Sequence, residues 1–390
     1  GRTGLAETMR PGSINRLSQS TEPAFRVEFE GDKPPNRDLY WRALVLWDTD
    51  GRNWRAGNTL PLERGKTIKT GRVINYTVTL EPSNKPWMMT LDRPNSVPKH
   101  TYRKAGYVLQ RKSVVHKRIR YDMQSRILYR PNELNALTRQ RALALPDNTS
   151  DRVIALAKKW RQVSKNNRHV AQQALNYIRN NEFIYTLQPP LLGRNPVDEF
   201  LFETQRGFCE LYAAAFVILM RAASIPARIV IGYQGGEYND TGNYMIVRQS
   251  DAHSWAEIWV ADKGWVRVDP TAAVAPERIE LGIDAVRRLR SQGLRLGVLS
   301  PEALRRAMEL GLMARTWLRS RLLWDAVNLG WYRWVSDYNW DRQEKFLRNF
   351  GMNAPTWLGL LAGTIGGLAV AHTAATAAPP AWPPPRTCST

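Results

Sequence analysis

Cys209, His253 and Asp269 occur in that order in this 390-residue chain, and the three residue types can share one reaction. A thiol becomes a nucleophile when a base takes its proton, and an imidazole serves as that base when a carboxylate orients it. Cys209 follows Arg206-Gly207-Phe208, a turn that glycine can tighten, and it opens an apolar run that reads as a buried helix. The N-terminus of a helix leaves N–H groups unsatisfied and carries roughly half a positive charge, which lowers the pKa of a cysteine placed there. The same position also suits a small buried hydrophobe, as many free cysteines are. The only other cysteine, Cys388, lies in a Pro/Ala/Thr-rich stretch, so no disulfide framework is legible.

Five histidines are available as the base. His100 and His116 fall in a β-rich stretch, His169 on an amphipathic helix and His372 in the low-complexity end. His253 alone sits in a strand-like run soon after the cysteine, "SDAHSWAEIWV". The next strand, "GWVRVDPT", carries Asp269. Two antiparallel strands joined at Ala261-Asp262-Lys263-Gly264 would set His253 and Asp269 on one face. Read singly, His253 is a packed strand residue and Asp269 an Asp-Pro turn; read in order with Cys209, they form the parts of thioester chemistry. Trp255, Glu257 and Trp259 read as sheet core and edge. Tyr233 either lines a cleft or packs, and Glu210 either tunes the thiol or favours the helix dipole. No calcium loop of the Asp-x-Asp-x-Asp-Gly type is present, and neither a metal nor a cofactor is expected.

These residues need elements to hold them. Residues 22–145 read as a small β-rich domain, after an N-terminal extension at 1–21. Phe25, Val27 and Phe29 alternate with polar neighbours, "LYWRALVLW" (39–47) runs into an Asp-Thr-Asp-Gly turn, and 72–80 and 105–112 are further strands. Residues 146–278 form the catalytic core. Helices begin near Asp151, expected as a cap with Val153, Ile154, Ala157 and Trp160 on one face, and near His169, with Val170, Ala174 and Ile178. Three strand-like segments, 227–234, 244–260 and 264–271, follow the cysteine helix, and helices before strands indicate an α+β fold. Residues 279–352 are an Arg/Trp-rich helical region, started by Ser300-Pro301-Glu302 and striped by Leu310, Trp317, Trp324 and Trp331. The uncharged stretch within 353–371 is expected to be a truncated transmembrane helix, ~25 Å long against a ~30 Å bilayer core. Residues 372–390 read as a low-complexity, non-native tail, and the Gly1-Arg2-Thr3 start reads as that of an excised fragment.

The formal net charge of +21 and the pI near 10.3 fit either a solvated basic surface or anionic partners such as envelope polymers. No zinc-finger spacing, Walker loop or RNP-like signature accompanies that charge, which argues against nucleic acid.

"GFCELYAAAF", "RAASIPARIVIGY", "DAHSWAEIWV" and "GWVRVDPT" together resemble the transglutaminase core. The likeness covers roughly 150–275. "YWRALVLWDTDGRNW", "PPLLGRNPVDEFLFETQRGFCE" and "DPTAAVAPERI" extend it to the bacterial inner-membrane transglutaminase-like proteins of the TgpA type. The resemblance implies a papain-like fold with helices packed on an antiparallel sheet, nucleophile Cys209, general base His253 and orienting Asp269. It also implies acyl transfer from a protein glutamine carboxamide to an amine, on a soluble region facing the periplasm and held in the inner membrane by flanking helices. Substrates would be proteins or peptides bearing glutamine and amine groups. Hydrolysis by the same triad, or an idle partner-binding domain, is the alternative. A second oxyanion donor is expected from Tyr185 or Trp255. One departure from the family pattern is Leu211, where many relatives carry histidine.

Overall fold

A computed structural model describes residues 5–63, 72–126 and 133–282, with a few isolated helical positions between 322 and 329. The chain divides into two compact units, 1–317 and 318–390. The transmembrane segment expected at 353–371, the tail at 372–390, the Trp stripe and most of the helical region at 279–352 lie outside the described residues. Among the described residues no helix is long and apolar enough to cross a membrane.

In chain order the elements that matter are helix α1 (Ser13–Ser18), strands β1 (Pro23–Glu30), β2 (Tyr40–Leu46), β3 (Val73–Leu80) and β4 (Ile119–Arg126), and helices α2 (Asp151–Val163) and α3 (Asn167–Asn180). Strands β5 (Ile184–Tyr185) and β6 (Arg206–Gly207) follow, then helix α4 (Cys209–Ala222). The last group is β7 (Ala227–Gln234), β8 (Glu237–Asn239), β9 (Tyr244–Arg248), β10 (Ala252–Val260), β11 (Gly264–Val268) and helix α5 (Pro276–Leu281). The fold is α+β. One antiparallel sheet runs β11-β10-β7-β2 and ends on Thr90–Leu91; the other runs β8-β9-β1-β3-β4 and ends on Arg93–Pro94.

Both sheets mix strands from the two sequence stretches. β2 pairs with β7 from Leu46↔Ile229 to Tyr40↔Gln234, and β1 pairs with β9 through Val27↔Met245. The run 244–260, expected as one strand segment, is two strands in different sheets. The Arg248 N–H donates to Asp251 Oδ2 at 2.9 Å across a 3-10 turn at Gln249–Asp251, and that corner sends the chain from one sheet to the other.

The helices follow their apolar faces. Val153, Ala157 and Trp160 of α2 are buried, as are Val170, Ala171, Ala174 and Ile178 of α3. The cap of α2 is Ser150, one residue before the expected Asp151; its hydroxyl accepts the Val153 N–H at 3.3 Å, which leaves Asp151 in the first turn facing the dipole. Helix α4 is buried along its whole length up to Arg221 because it lies between layers, packed on β10 and β7 on one side and on α2 and α3 on the other. Its small Ala213-Ala214-Ala215 run is buried within that sandwich.

Candidate active site

Cys209 is the first residue of α4, with Phe208 at the cap in an extended conformation. The short parallel pair of β5 and β6, Tyr185↔Gly207, ties the approach to the helix. A side chain at Gly207 would meet the Phe200 ring at 2.7 Å, so the close packing of this approach requires glycine.

His253 lies in β10 opposite Gly232 of β7. A Cβ at Gly232 would sit 1.8 Å from the Trp41 carbonyl oxygen, where the β2–β7 register shifts; glycine lets β2 approach the histidine strand this closely. The β10–β11 hairpin pairs Ala256 with Val268, so one further step sets Asp269 beside Trp255, on the same face as His253. The result is a direct hydrogen bond between His253 Nε2 and Asp269 Oδ2 at 2.8 Å.

Tyr40, at the start of β2, completes the shell of the carboxylate. Its hydroxyl donates to Asp269 Oδ2 at 2.7 Å, and the Thr271 N–H donates to Oδ1 at 3.0 Å. The Tyr40 ring meets Trp255 edge-on at 5.0 Å, and Trp255 stacks on the His253 ring at 6.3 Å. Burial by itself would raise the pKa of Asp269, but His253, Tyr40 and Thr271 outweigh it and hold the group below its ordinary value. His253 goes the other way: burial lowers its pKa more than Asp269 raises it, so the imidazole rests neutral. Its Nδ1 is buried and has no hydrogen-bond partner among the described residues.

Cys209 and His253 are both 0% exposed. Among the described residues no hydrogen bond joins the thiol to the imidazole. Ser254, the residue after His253, faces the sulfur instead, and its hydroxyl and N–H favour the thiolate. Here the structure corrects the sequence expectation of a lowered thiol pKa. Burial pushes Cys209 up to about 12, and the neighbouring carboxylate of Glu210 adds to the rise. Desolvation is nonlocal and exceeds the helix-terminus effect, which acts over one turn. The resting thiol is neutral.

Glu210 is 2% exposed and accepts the backbone N–H of Gly12 and of Ile14, the latter at 3.0 Å, so the N-terminal stretch docks onto the first turn of α4. Burial raises its pKa to about 7 against those two bonds. Tyr185 is buried within electrostatic reach of Cys209 and of Arg278, whose charge also acts on the thiol. Tyr233 packs edge-on against Phe25 at 5.4 Å and its hydroxyl donates to Gln249 Oε1 at 2.9 Å. Glu257 is structural: Arg42 and Arg228 both bind its carboxylate, and Arg228 is held over the Trp47 and Trp265 rings at 4.8 and 4.0 Å. Leu211 is buried in the core. His116 and His169 bond to Asn84 and Gln173, away from the site. Among the described residues no cluster of His, Cys, Asp or Glu is arranged to hold a metal ion.

Tyr40, Ser254 and Arg278 were not found from the sequence. Ser254 could have been, as the neighbour of His253. Tyr40 could not, since only the β2–β7 pairing brings it to Asp269.

Comparison with known proteins agrees with this architecture. Residues 1–132 match the family described as the TgpA N-terminal domain, and residues 154–270 match the transglutaminase-like superfamily. A protein-glutamine gamma-glutamyltransferase of Pseudomonas aeruginosa is 42% identical over 377 residues, covering 95% of this chain and 55% of that protein. The uncharacterized protein YebA of Bacillus subtilis is 35% identical over 173 residues, 43% of this chain and 23% of that one. The chain thus spans about half the length, or less, of these curated relatives. The crystal structure of the periplasmic domain of TgpA from Pseudomonas aeruginosa superposes with a TM-score of 0.68 at 41% identity, over 72% of this chain and 99% of that one. Its ethylmercury-bound form gives 0.65 at 42% identity, over 71% and 100%. The chain therefore belongs to the transglutaminase-like superfamily, with a TgpA-type N-terminal domain ahead of the core.

Proposed function

We propose that this region is the catalytic part of a periplasm-facing membrane protein that transfers the acyl group of a protein glutamine side chain to an amine through a Cys209 thioester. The observation that carries the reading is the state of His253. Its Nε2 is engaged by Asp269 at 2.8 Å, so a proton on that nitrogen leaves Nδ1 as a buried, unpartnered lone pair one residue from the serine that faces the thiol.

In this reading His253 Nδ1 takes the Cys209 proton as sulfur adds to the carboxamide carbon. The carbonyl oxygen becomes an oxyanion near the first N–H groups of α4, where losing one donor typically costs ~3–4 kcal/mol. The imidazolium returns the proton to the departing nitrogen, the C–N bond breaks, and ammonia leaves a thioester. An amine then attacks, His253 takes its proton, and collapse gives a secondary amide and the free thiol. Asp269 stabilises the imidazolium in both halves and stays ionised throughout. Because thiol and imidazole both rest neutral, the proton moves in step with sulfur attack rather than beforehand.

Substrates are proteins or peptides bearing glutamine and amine groups. Flanking segments hold the region in the inner membrane, and a net charge of +21 suits contact with anionic envelope polymers.

The test is incorporation of a fluorescent amine into a glutamine-donor peptide. Label that vanishes in Cys209→Ala and His253→Ala supports transfer. Ammonia release without label means hydrolysis at the same triad. Neither product from a folded protein leaves only a binding domain.

A further inference from the structure

Arg278 is 0% exposed, and none of the ion pairs among the described residues includes it. Its Nη1 donates to Gln234 Oε1 at 2.8 Å and its Nη2 to the Asp251 carbonyl oxygen at 3.3 Å. Tyr185 lies within electrostatic reach of it, and the Arg278 Nε is buried without a partner among the described residues. These neighbours are an amide, a carbonyl and a phenol, all neutral. A guanidinium taken out of water is costly unless an anion compensates it. In the resting site no such anion touches it.

Its position says where one could form. Gln234 closes β7 and Asp251 immediately precedes β10, so the guanidinium spans the strand pair two residues from the Gly232↔His253 step. Its charge acts on Cys209, His253, Tyr40 and Tyr185 alike. The other ionisable groups around the sulfur are Glu210, which opposes a thiolate, and the His253–Asp269 pair. Around the guanidinium stand Asp251, whose carboxylate takes the Arg248 N–H, and Glu277, its neighbour in α5.

We propose that Arg278 is an electrostatic positioning residue: its permanent charge compensates the anion that forms at Cys209, first on sulfur and then, with Tyr185 held beside it, on the oxygen of the tetrahedral adduct. The proposal rests on Cys209 being the nucleophile.

The experiment is alkylation of the intact chain by iodoacetamide between pH 6 and 10, followed by intact mass, with Cys209→Ala used to subtract Cys388. Arg278→Gln is expected to slow Cys209 alkylation about tenfold at pH 8 and to move the rate profile up by about one pH unit, because one unit is tenfold in thiolate. Arg278→Lys keeps the charge and is expected to leave the profile within about 0.3 unit. A packing role would slow Arg278→Lys as much as Arg278→Gln, and an unslowed rate in folded Arg278→Gln overturns the proposal. Should that variant not fold, Arg278→Lys decides alone: a profile in place supports the charge role, and an upward shift of a unit refutes it. Failure of the underlying site reading has a different signature. If His253→Ala leaves the profile of the otherwise unchanged protein as it was, Cys209 is not coupled to the imidazole and both fall together.

Discussion

Replacing Tyr40 by phenylalanine removes one hydrogen bond and almost no volume. That bond, 2.7 Å from the hydroxyl to Asp269 Oδ2, is one of three that the carboxylate accepts, beside those from His253 and Thr271. A hydrogen bond to a charged group contributes about 1.5–3 kcal/mol. At about 1.4 kcal/mol per unit, its loss should raise the Asp269 pKa by roughly 1–2 units. Asp269 is held below its ordinary value in the fold, so its contribution to stability is present above the unfolded pKa of about 3.9 and is lost as pH falls through the folded value. Tyr40→Phe should therefore be less stable than the natural chain by about 1.5–3 kcal/mol at pH 7, with the gap shrinking below about pH 4. Urea unfolding at pH 7 and pH 3.5 measures both numbers, and the acid limb of kcat/KM for amine incorporation should move up with the pKa. A gap of equal size at both pH values would show that the hydroxyl acts through packing and refute the reasoning.

Glu257→Gln leaves Arg42 and Arg228 facing a neutral amide; breaking a buried pair of this kind costs about 3–5 kcal/mol, read as a lowered Tm. The Glu257 carboxylate is held at about 2 by the two guanidiniums despite burial, so its contribution is full above the unfolded pKa of about 4.3 and is lost progressively as pH falls from there to about 2. Glu210 has the opposite sign. Its pKa is raised to about 7, so stability should fall by roughly 3 kcal/mol as pH rises from about 4.5 to 7, and Glu210→Gln should flatten that slope in urea titrations. Ser150→Ala removes the cap of α2 and should lower stability by about 1 kcal/mol, measured by chemical denaturation.

The proposed triad could be assembled from the sequence because each member sits in a local pattern. A cysteine opens an apolar helical run, and a histidine and an aspartate share a hairpin whose turn can be counted. The helix faces of α2 and α3 were legible for the same reason, since a period of 3.6 residues is written in adjacent positions. Sheet neighbours are another matter. Nothing around Tyr40 announces that its strand lies against Ala227–Gln234, because strand pairing is chosen by the whole core rather than by the segment. The thiol shows the same division. The charge at a helix start can be read from the order of residues, whereas the desolvation that outweighs it depends on side chains from distant parts of the chain.

The interleaving of strands has a consequence for how such a protein can be cut. A fragment begun near residue 146 would lack β1 and β2, baring the flanks of β9 and β7 as unpaired backbone edges, which are templates for aggregation. It would also take from Asp269 the tyrosine hydroxyl that helps keep it ionised. The two family segments in this chain are therefore not interchangeable cassettes. Any recombinant or evolutionary exchange of the catalytic half must carry the earlier strands with it.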